Sequence, residues 1–210
     1  MIGLAAHSNA VVVFIGVDLS NWIKRDGEAP VWPVENGVMT SRGGDIMTQE
    51  TFLDFYMHLE FCCPDMPEAT GQAKGNSGVY LAGRYEIQVL DSYGWKVPGK
   101  GDCGAVYDQY APLLNACKPA LEWQSYDVIF RAARLDEAGS VKERARVTVL
   151  HNGIVIHDNV ELFGPTGGAI DSREGIPGPL LLQDHGDAVQ YRNIWFVSLP
   201  FKGSDEYGPK

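Results

Sequence analysis

The sequence predicts an all-β protein built as an antiparallel β-sandwich. Segments with the two-residue period of a strand dominate the 210 residues, and loops rich in Gly and Pro separate them. No helical periodicity of useful length, internal repeat or linker interrupts this pattern. A chain of this length fits one all-β domain, which we expect at residues 10–202 between flexible termini at 1–9 and 203–210.

Strand candidates occur along the whole chain. The apolar run AVVVFIGV at 10–17 is too short to span a membrane and is expected as an entering strand. The run FLDFYMHLEF at 52–61 alternates apolar and polar residues, which is typical of a half-buried strand. Asn152-Gly153 separates two β-rich runs within 146–160, the strongest short-range hairpin signal. Further strand candidates lie at 78–82, 126–131, 180–183 and 194–198.

Two long loops and four cysteines lie between these strands. The loops at 62–78 and 164–179 are dense in Gly and Pro, and we expect them to border a binding face. Adjacent Cys62 and Cys63 lack the spacing of metal ligands. Cys103 and Cys117 flank a loop-like segment and would form a disulfide in an exported protein, but their spacing leaves the pairing open.

The charge balance excludes several classes of partner. Lys and Arg number 17 against 27 for Asp and Glu, which gives a formal charge of −10, and no basic run occurs. Nucleic acids and anionic membranes are therefore not expected as partners. No basic n-region or cleavage site accompanies the first apolar run, so no signal peptide is expected. No ligand-like clustering surrounds the histidines, so we expect no metal and no other cofactor.

The run GRYEIQVLDSYG at 83–94 is the first candidate site. Arg84, Glu86 and Gln88 share one face of a strand, but the alternation lapses where Leu90 follows Val89. A β-bulge at Val89-Leu90 would return Asp91 to the face of Glu86 and Gln88. Alternatively, the strand ends at Leu90 and Asp91 begins a DSYG turn.

The spacing of Glu86, Gln88 and Asp91 resembles the signature of laminarinase-type glycoside hydrolases, E-x-(D/Q)-x-x-(D/E). Two carboxyl groups beside one sugar are what glycosidic cleavage normally requires. Gln88 cannot carry a negative charge and Asp91 is shorter than Glu. Both departures count against the ordinary retaining mechanism.

Longer segments resemble the 3-keto-disaccharide hydrolase domain family. The matching runs are 75–94, 103–136, 145–169 and 178–196, and the resemblance extends over roughly 13–198. It implies a concanavalin A-like jelly roll that cleaves small glycosides already oxidised to a ketone at C3. It also implies an extracellular or periplasmic location.

A C3 ketone acidifies the hydrogen on C2, so a base can expel the C1 substituent by β-elimination before water adds. We hypothesise that His185 is the base, because imidazole titrates near neutral pH, and that Asp91 or Glu86 is the acid. Arg84, Gln88 and Gln183 would contact the enolate or the hydroxyl groups. As alternatives, His185 is an exposed turn residue and Arg84 only pairs with Glu86.

Aromatic residues complete the predicted site. Tyr93 and Trp95 would form a platform on which a sugar stacks, although turn aromatics also cap sandwich cores. Asn76 is expected to face the cleft, whereas Tyr80 and Trp123 are assigned to the core. Two other functions remain open: a non-catalytic carbohydrate-binding module, and an ordinary β-glucanase that uses Glu86 and Asp91. The sequence does not fix the oligomeric state.

Overall fold

The computed structural model describes residues 1–204. Apart from one short 3-10 turn, Gly71–Ala73, the regular elements are strands. In chain order the strands are β1 (Val11–Phe14), β2 (Trp22–Lys24), β3 (Val34–Glu35), β4 (Val38–Thr40), β5 (Ile46–Thr48), β6 (Phe55–Cys62), β7 (Ser77–Leu81), β8 (Tyr85–Val89), β9 (Gln124–Arg131), β10 (Arg134–Leu135), β11 (Val141–Glu143), β12 (Arg146–His151), β13 (Ile154–Glu161), β14 (Leu181–Leu182) and β15 (Gln190–Ser198).

Two antiparallel sheets form the predicted sandwich, and the jelly-roll class is confirmed. The larger has the order β13-β12-β9-β6-β15-β4-β3, with β1 also paired to β15, and the smaller has the order β2-β5-β14-β7-β8. A separate ribbon joins β10 and β11. Side chains of both sheets share one apolar core, which includes Phe55 and Phe130 of the larger sheet and Val79 and Ile87 of the smaller.

The turn between β12 and β13 has the predicted hairpin chemistry. Asn152 and Gly153 have φ angles of 54° and 81°, the left-handed values that both central residues of a type I′ turn require. The strand predicted at 52–61 is β6, and the apolar run at 10–17 contributes the shorter strand β1.

The first residues of the chain contact the outer face of the larger sheet. The Gly3 amide donates to Glu60 Oε1 at 2.6 Å, and Asn193 Nδ2 donates to the Leu4 carbonyl oxygen at 3.0 Å. Most of the tail predicted at 203–210 lies outside the described residues. In the part of the chain that the structure describes, no helix has the length and apolar character needed to cross a membrane.

All four cysteines are free thiols. The Cys103 and Cys117 thiols are close enough to shift each other's pKa, but the two sulfurs are not bridged. The pairing that the sequence left open is therefore a thiol contact in this structure.

Candidate functional site

A polar pocket of about 120 Å³ lies on the outer face of the smaller sheet. It forms because the alternation of β8 directs Ile87 and Val89 into the core and leaves Glu86 and Gln88 on the opposite face. The lining residues are Gln72, Asn76, Tyr80, Glu86, Gln88, Tyr107, Gly167, Gly168, Gln183 and His185.

The neighbouring strand β7 supplies the floor of this pocket. Gly78 lies opposite Gln88, and Tyr80 lies opposite Glu86. A Cβ atom at position 78 would overlap the Glu86 carboxyl group and the edge of the Tyr80 ring. The missing side chain of Gly78 therefore makes room for a carboxyl group on the sheet surface.

Glu86 is the titratable group at the centre of the pocket. The residue is 3% exposed, and this burial raises its pKa to about 7; the hydrogen bond from Tyr80 opposes the rise and the nearby charge of Asp45 adds to it. The Tyr80 hydroxyl donates to Oε2 at 2.9 Å. The surrounding hydrogen bonds orient the Gln88 amide nitrogen towards Oε1, at 3.0 Å, and towards the Ser77 carbonyl oxygen, at 2.8 Å.

Tyr80 can support Glu86 in both protonation states. Its hydroxyl oxygen is 2.9 Å from Glu86 Oε2 and also 2.9 Å from the Gly167 carbonyl oxygen. Burial raises the pKa of Tyr80, so the phenol keeps its single hydrogen. That hydrogen goes to the ionised carboxylate, or to Gly167 when a protonated Glu86 donates to the phenol instead.

A chain segment at 104–107 runs beside β8 and fixes its outer edge. The backbone N–H of Gln88 donates to the Ala105 carbonyl oxygen at 2.9 Å, and the backbone N–H of Gly104 donates to the backbone carbonyl oxygen of Gln88 at 2.9 Å. The Tyr107 amide then donates to the Glu86 carbonyl oxygen at 3.1 Å, which brings the Tyr107 side chain to the pocket.

Three more of the predicted site residues reach the pocket. Gln183 follows β14, and its side-chain amide donates to the Tyr80 hydroxyl at 3.3 Å. Asn76 precedes β7, and its amide donates to the Gln72 carbonyl oxygen at 2.7 Å. His185 is exposed at the mouth, where its ring makes no hydrogen bond with residues 1–204.

Asp91 does not join Glu86, and the predicted bulge is wrong. The pairing of β7 with β8 is continuous from Leu81–Tyr85 to Ser77–Val89, and β8 ends there. Val89 and Leu90 both pack in the core because the chain leaves the sheet between them. Asp91 lines a different hollow and pairs with Lys74, with Oδ2 3.0 Å from Nζ.

Three further predicted contacts lie outside the pocket. Arg84 is 2% exposed and makes two hydrogen bonds to Asp171, at 2.7 and 3.0 Å, rather than pairing with Glu86. This guanidinium group holds the pKa of Asp171 well below its usual range. The Tyr93 and Trp95 side chains are exposed, but neither lines the Glu86 pocket because both follow the end of β8.

The sequence reasoning missed Gln72, Tyr80 and Tyr107. The signal for Tyr80 was available, because Val79 and Leu81 occupy the core and the residue between them must face the other side of the sheet. No comparable signal marks Gln72, which lies in the short 3-10 turn, or Tyr107, which lies in an irregular segment.

A larger groove, of about 770 Å³, lies away from Glu86 beside β10. Its carboxylate, Asp54, is already held by the Ala132 amide and the Arg134 guanidinium group, so its charge is neutralised within the fold. The Glu86 pocket is therefore the better candidate site despite its smaller volume. Within residues 1–204, no group of three or more His, Cys, Asp or Glu side chains is arranged to hold a metal ion.

Comparisons with known proteins agree with this architecture. Residues 9–197 match the 3-keto-alpha-glucoside-1,2-lyase-like domain family. A candidate glycosyl hydrolase from Parabacteroides distasonis ATCC 8503, solved at 2.13 Å, is 39% identical with a TM-score of 0.84, over 91% of this chain and 84% of that one. A second, solved at 1.70 Å, is 23% identical with a TM-score of 0.65, over 91% and 94%. Among proteins with curated descriptions, none matches.

Proposed function

Because the chain belongs to the family of 3-keto-alpha-glucoside-1,2-lyase-like domains, we propose that it is a carbohydrate-active enzyme that cleaves 3-keto-glycosides in the Glu86 pocket. The relative that is 39% identical and described as a candidate glycosyl hydrolase supports the assignment as a carbohydrate-active enzyme. One observation supports a 3-keto-glycoside as the substrate: Glu86 is the only carboxyl group among the described residues that line the pocket. Ordinary retaining and inverting glycosidases need two carboxyl groups beside the scissile bond.

A ketone at C3 removes the need for the second carboxyl group. The base takes the C2 proton, and the electron pair of that bond enters the ketone to give an enolate. When the carbonyl forms again, the C1–O bond breaks, a C1–C2 double bond forms, and the departing oxygen receives a proton from the acid. Water then adds its hydroxyl group to C1 and a proton to C2, which gives the free 3-keto-sugar.

We assign the base to Glu86 and the acid to His185, the reverse of the hypothesis drawn from the sequence. The Tyr80 hydroxyl and the Gln88 side-chain amide can each donate to one Glu86 oxygen, which stabilises the ionised carboxylate that a base requires. A pKa of about 7 makes this carboxylate a much stronger base than an exposed one. His185 is an exposed member of the pocket lining, so it can protonate a leaving group that departs into solvent.

The amides and the phenol of the pocket supply donors for the developing enolate. Asn76, Gln183 and Tyr107 all line the pocket. Donors that are already in place stabilise charge without reorganising when it forms, so these side chains favour the enolate over the ketone.

The test compares a 3-keto-disaccharide with its unoxidised parent. We expect cleavage of the oxidised sugar only, and a loss of about 10²- to 10⁴-fold in kcat/KM for Glu86→Gln. Glu161→Gln, which alters an exposed carboxylate paired with Arg146, serves as the matched control and should retain wild-type activity. In D2O, elimination and hydration place deuterium at C2 of the product, whereas direct hydrolysis does not.

The other outcomes identify the alternatives. Cleavage of the unoxidised parent alone would indicate an ordinary β-glucanase, and cleavage of neither sugar would indicate a binding module. A Glu86→Gln variant that keeps the wild-type rate on the oxidised sugar would remove Glu86 from the mechanism.

A further inference from the structure

A second hollow, of about 290 Å³, lies beside the Glu86 pocket, and we propose that it binds another, uncharged sugar unit of the substrate. This inference rests on the proposed function, because it assumes a carbohydrate substrate longer than the unit that is cleaved. The hollow is formed by Lys74, Asp91, Tyr93 and Leu121 together with the exposed Asp65 and neighbouring residues of the 119–121 segment. It contains two of the residues that the sequence analysis assigned to the cleavage site.

The two hollows share a wall, the chain segment 72–76. Gln72 and Asn76 line the Glu86 pocket, whereas Lys74, midway between them, lines the second hollow. The Asp91 amide donates to the Lys74 carbonyl oxygen at 2.9 Å, which ties the end of β8 to this wall. An oligosaccharide with one unit at Glu86 therefore has only this segment to cross before it reaches Lys74.

The polar groups of the second hollow suit the hydroxyl edge of a sugar. Lys74 Nζ is 3.0 Å from Asp91 Oδ2, and the Asp91 side chain is only 4% exposed. Asp91 Oδ1 also accepts the Tyr93 amide at 3.3 Å. The carboxylate is thus held in place as an acceptor, and the ammonium group keeps further donors for a neighbouring hydroxyl group.

The apolar groups suit the other face of the same ring. Tyr93 is 58% exposed although it borders the hollow, and Leu121 is 67% exposed. An aromatic ring left in water beside a fixed acceptor offers a surface for the C–H face of a pyranose. Two carboxylates and one ammonium group leave the hollow negative, and the chain carries a formal charge of −10, so sugar acids should be repelled.

The experiment measures binding without cleavage. The Glu86→Gln protein, labelled uniformly with ¹⁵N, is titrated with cellotetraose, laminaritetraose, maltotetraose and tetragalacturonate while amide shifts are followed by NMR. We expect at least one neutral tetrasaccharide to shift the amides of Asp91, Tyr93 and Leu121, and tetragalacturonate to shift none of them. Tyr93→Ala, in the same background, should weaken this binding about tenfold, the loss expected for an aromatic contact.

Phe201→Ala is the matched control, because it removes another exposed aromatic ring, away from both hollows, and should leave binding unchanged. Because Tyr93 is exposed, the variant should fold, and an otherwise unchanged NMR spectrum verifies this. Lys74→Met, which keeps the apolar stem, should weaken binding as well. Any one of three results would overturn the inference. No neutral tetrasaccharide shifts the amide signals of the second hollow, tetragalacturonate binds as tightly as the neutral sugars, or Tyr93→Ala binds them with unchanged affinity.

Its failure can be told apart from failure of the proposed function. A wild-type protein that cleaves the 3-keto-disaccharide while no tetrasaccharide shifts the second hollow refutes this inference alone. A protein that shows these shifts but cleaves no 3-keto-sugar refutes the proposed reaction and leaves the binding site.

Discussion

The hydrogen bond from Tyr80 to Glu86 allows a quantitative prediction for Tyr80→Phe. The phenol donates to Oε2 at 2.9 Å and lowers the pKa of a carboxyl group that burial has raised to about 7. A hydrogen bond to a charged group contributes about 1.5–3 kcal/mol net. Since the Gln88 amide still donates to Oε1, we take the lower end of this range, which corresponds to a rise of about one pKa unit.

The variant should therefore need a higher pH to ionise its base. With a pKa near 8, the ionised fraction of Glu86 at pH 7 falls from about one half to about one tenth, so kcat/KM falls about fivefold. Above about pH 9 the difference should nearly vanish. The assay is kcat/KM on a 3-keto-disaccharide between pH 5 and 10, with Glu86 titrated independently by ¹³C NMR.

Tyr85→Phe is the matched control for this series. Tyr85 is the neighbour of Glu86 on the opposite face of β8, and its hydroxyl donates to Glu174 at 2.7 Å, away from the pocket. Its removal should leave the pH profile unchanged. If the acid limb of the kcat/KM–pH profile of Tyr80→Phe coincides with that of the wild type, or lies at lower pH, the role given to this hydrogen bond is refuted.

Three further predictions follow from other contacts. Burial raises the folded-state pKa of Glu86 above its usual value, to about 7, so the native state retains its proton and the free energy of unfolding falls as pH rises from about 4.5 to about 7. Glu86→Gln should avoid this loss: at pH 8 it should raise the free energy of unfolding by up to about 3 kcal/mol, and Tm with it, but by much less at pH 4. Arg84→Met breaks the salt bridge to Asp171 and should lower the free energy of unfolding, measured in urea, by about 2–3 kcal/mol while kcat stays the same. A lower kcat would instead indicate that Arg84 contributes to the reaction. The hydrogen bond from Cys103 lowers the pKa of the partly exposed Cys117, so iodoacetamide should alkylate Cys117 first, as mass spectrometry can show, and faster alkylation of a buried cysteine would contradict this.

The sequence predicted those parts of the fold that depend on local patterns. The two-residue alternation located β6 and β8, and Asn152-Gly153 located a hairpin, because both signals lie within a few neighbouring residues. Glu86 and Gln88 were placed on one polar face for the same reason, and the structure brings both into one pocket.

The errors arose where the pattern has two physical explanations. Two consecutive apolar residues, Val89 and Leu90, are consistent with a bulge and equally with a strand that ends, and only the pairing partner decides. The partner of Arg84 could not be predicted either, since Asp171 is 87 residues away along the chain. Tyr107 reaches the pocket through backbone hydrogen bonds that leave no mark in its own sequence.

Gly78 gives the pocket an unusual point of control. Because the space above β7 exists only where this strand has no Cβ atom, a single methyl group would push against the Glu86 carboxyl group itself rather than against the substrate. Chemistry and shape are thus tied to one backbone position. Engineers who wish to widen the range of accepted sugars should vary the rim of the cleft and keep this floor residue fixed.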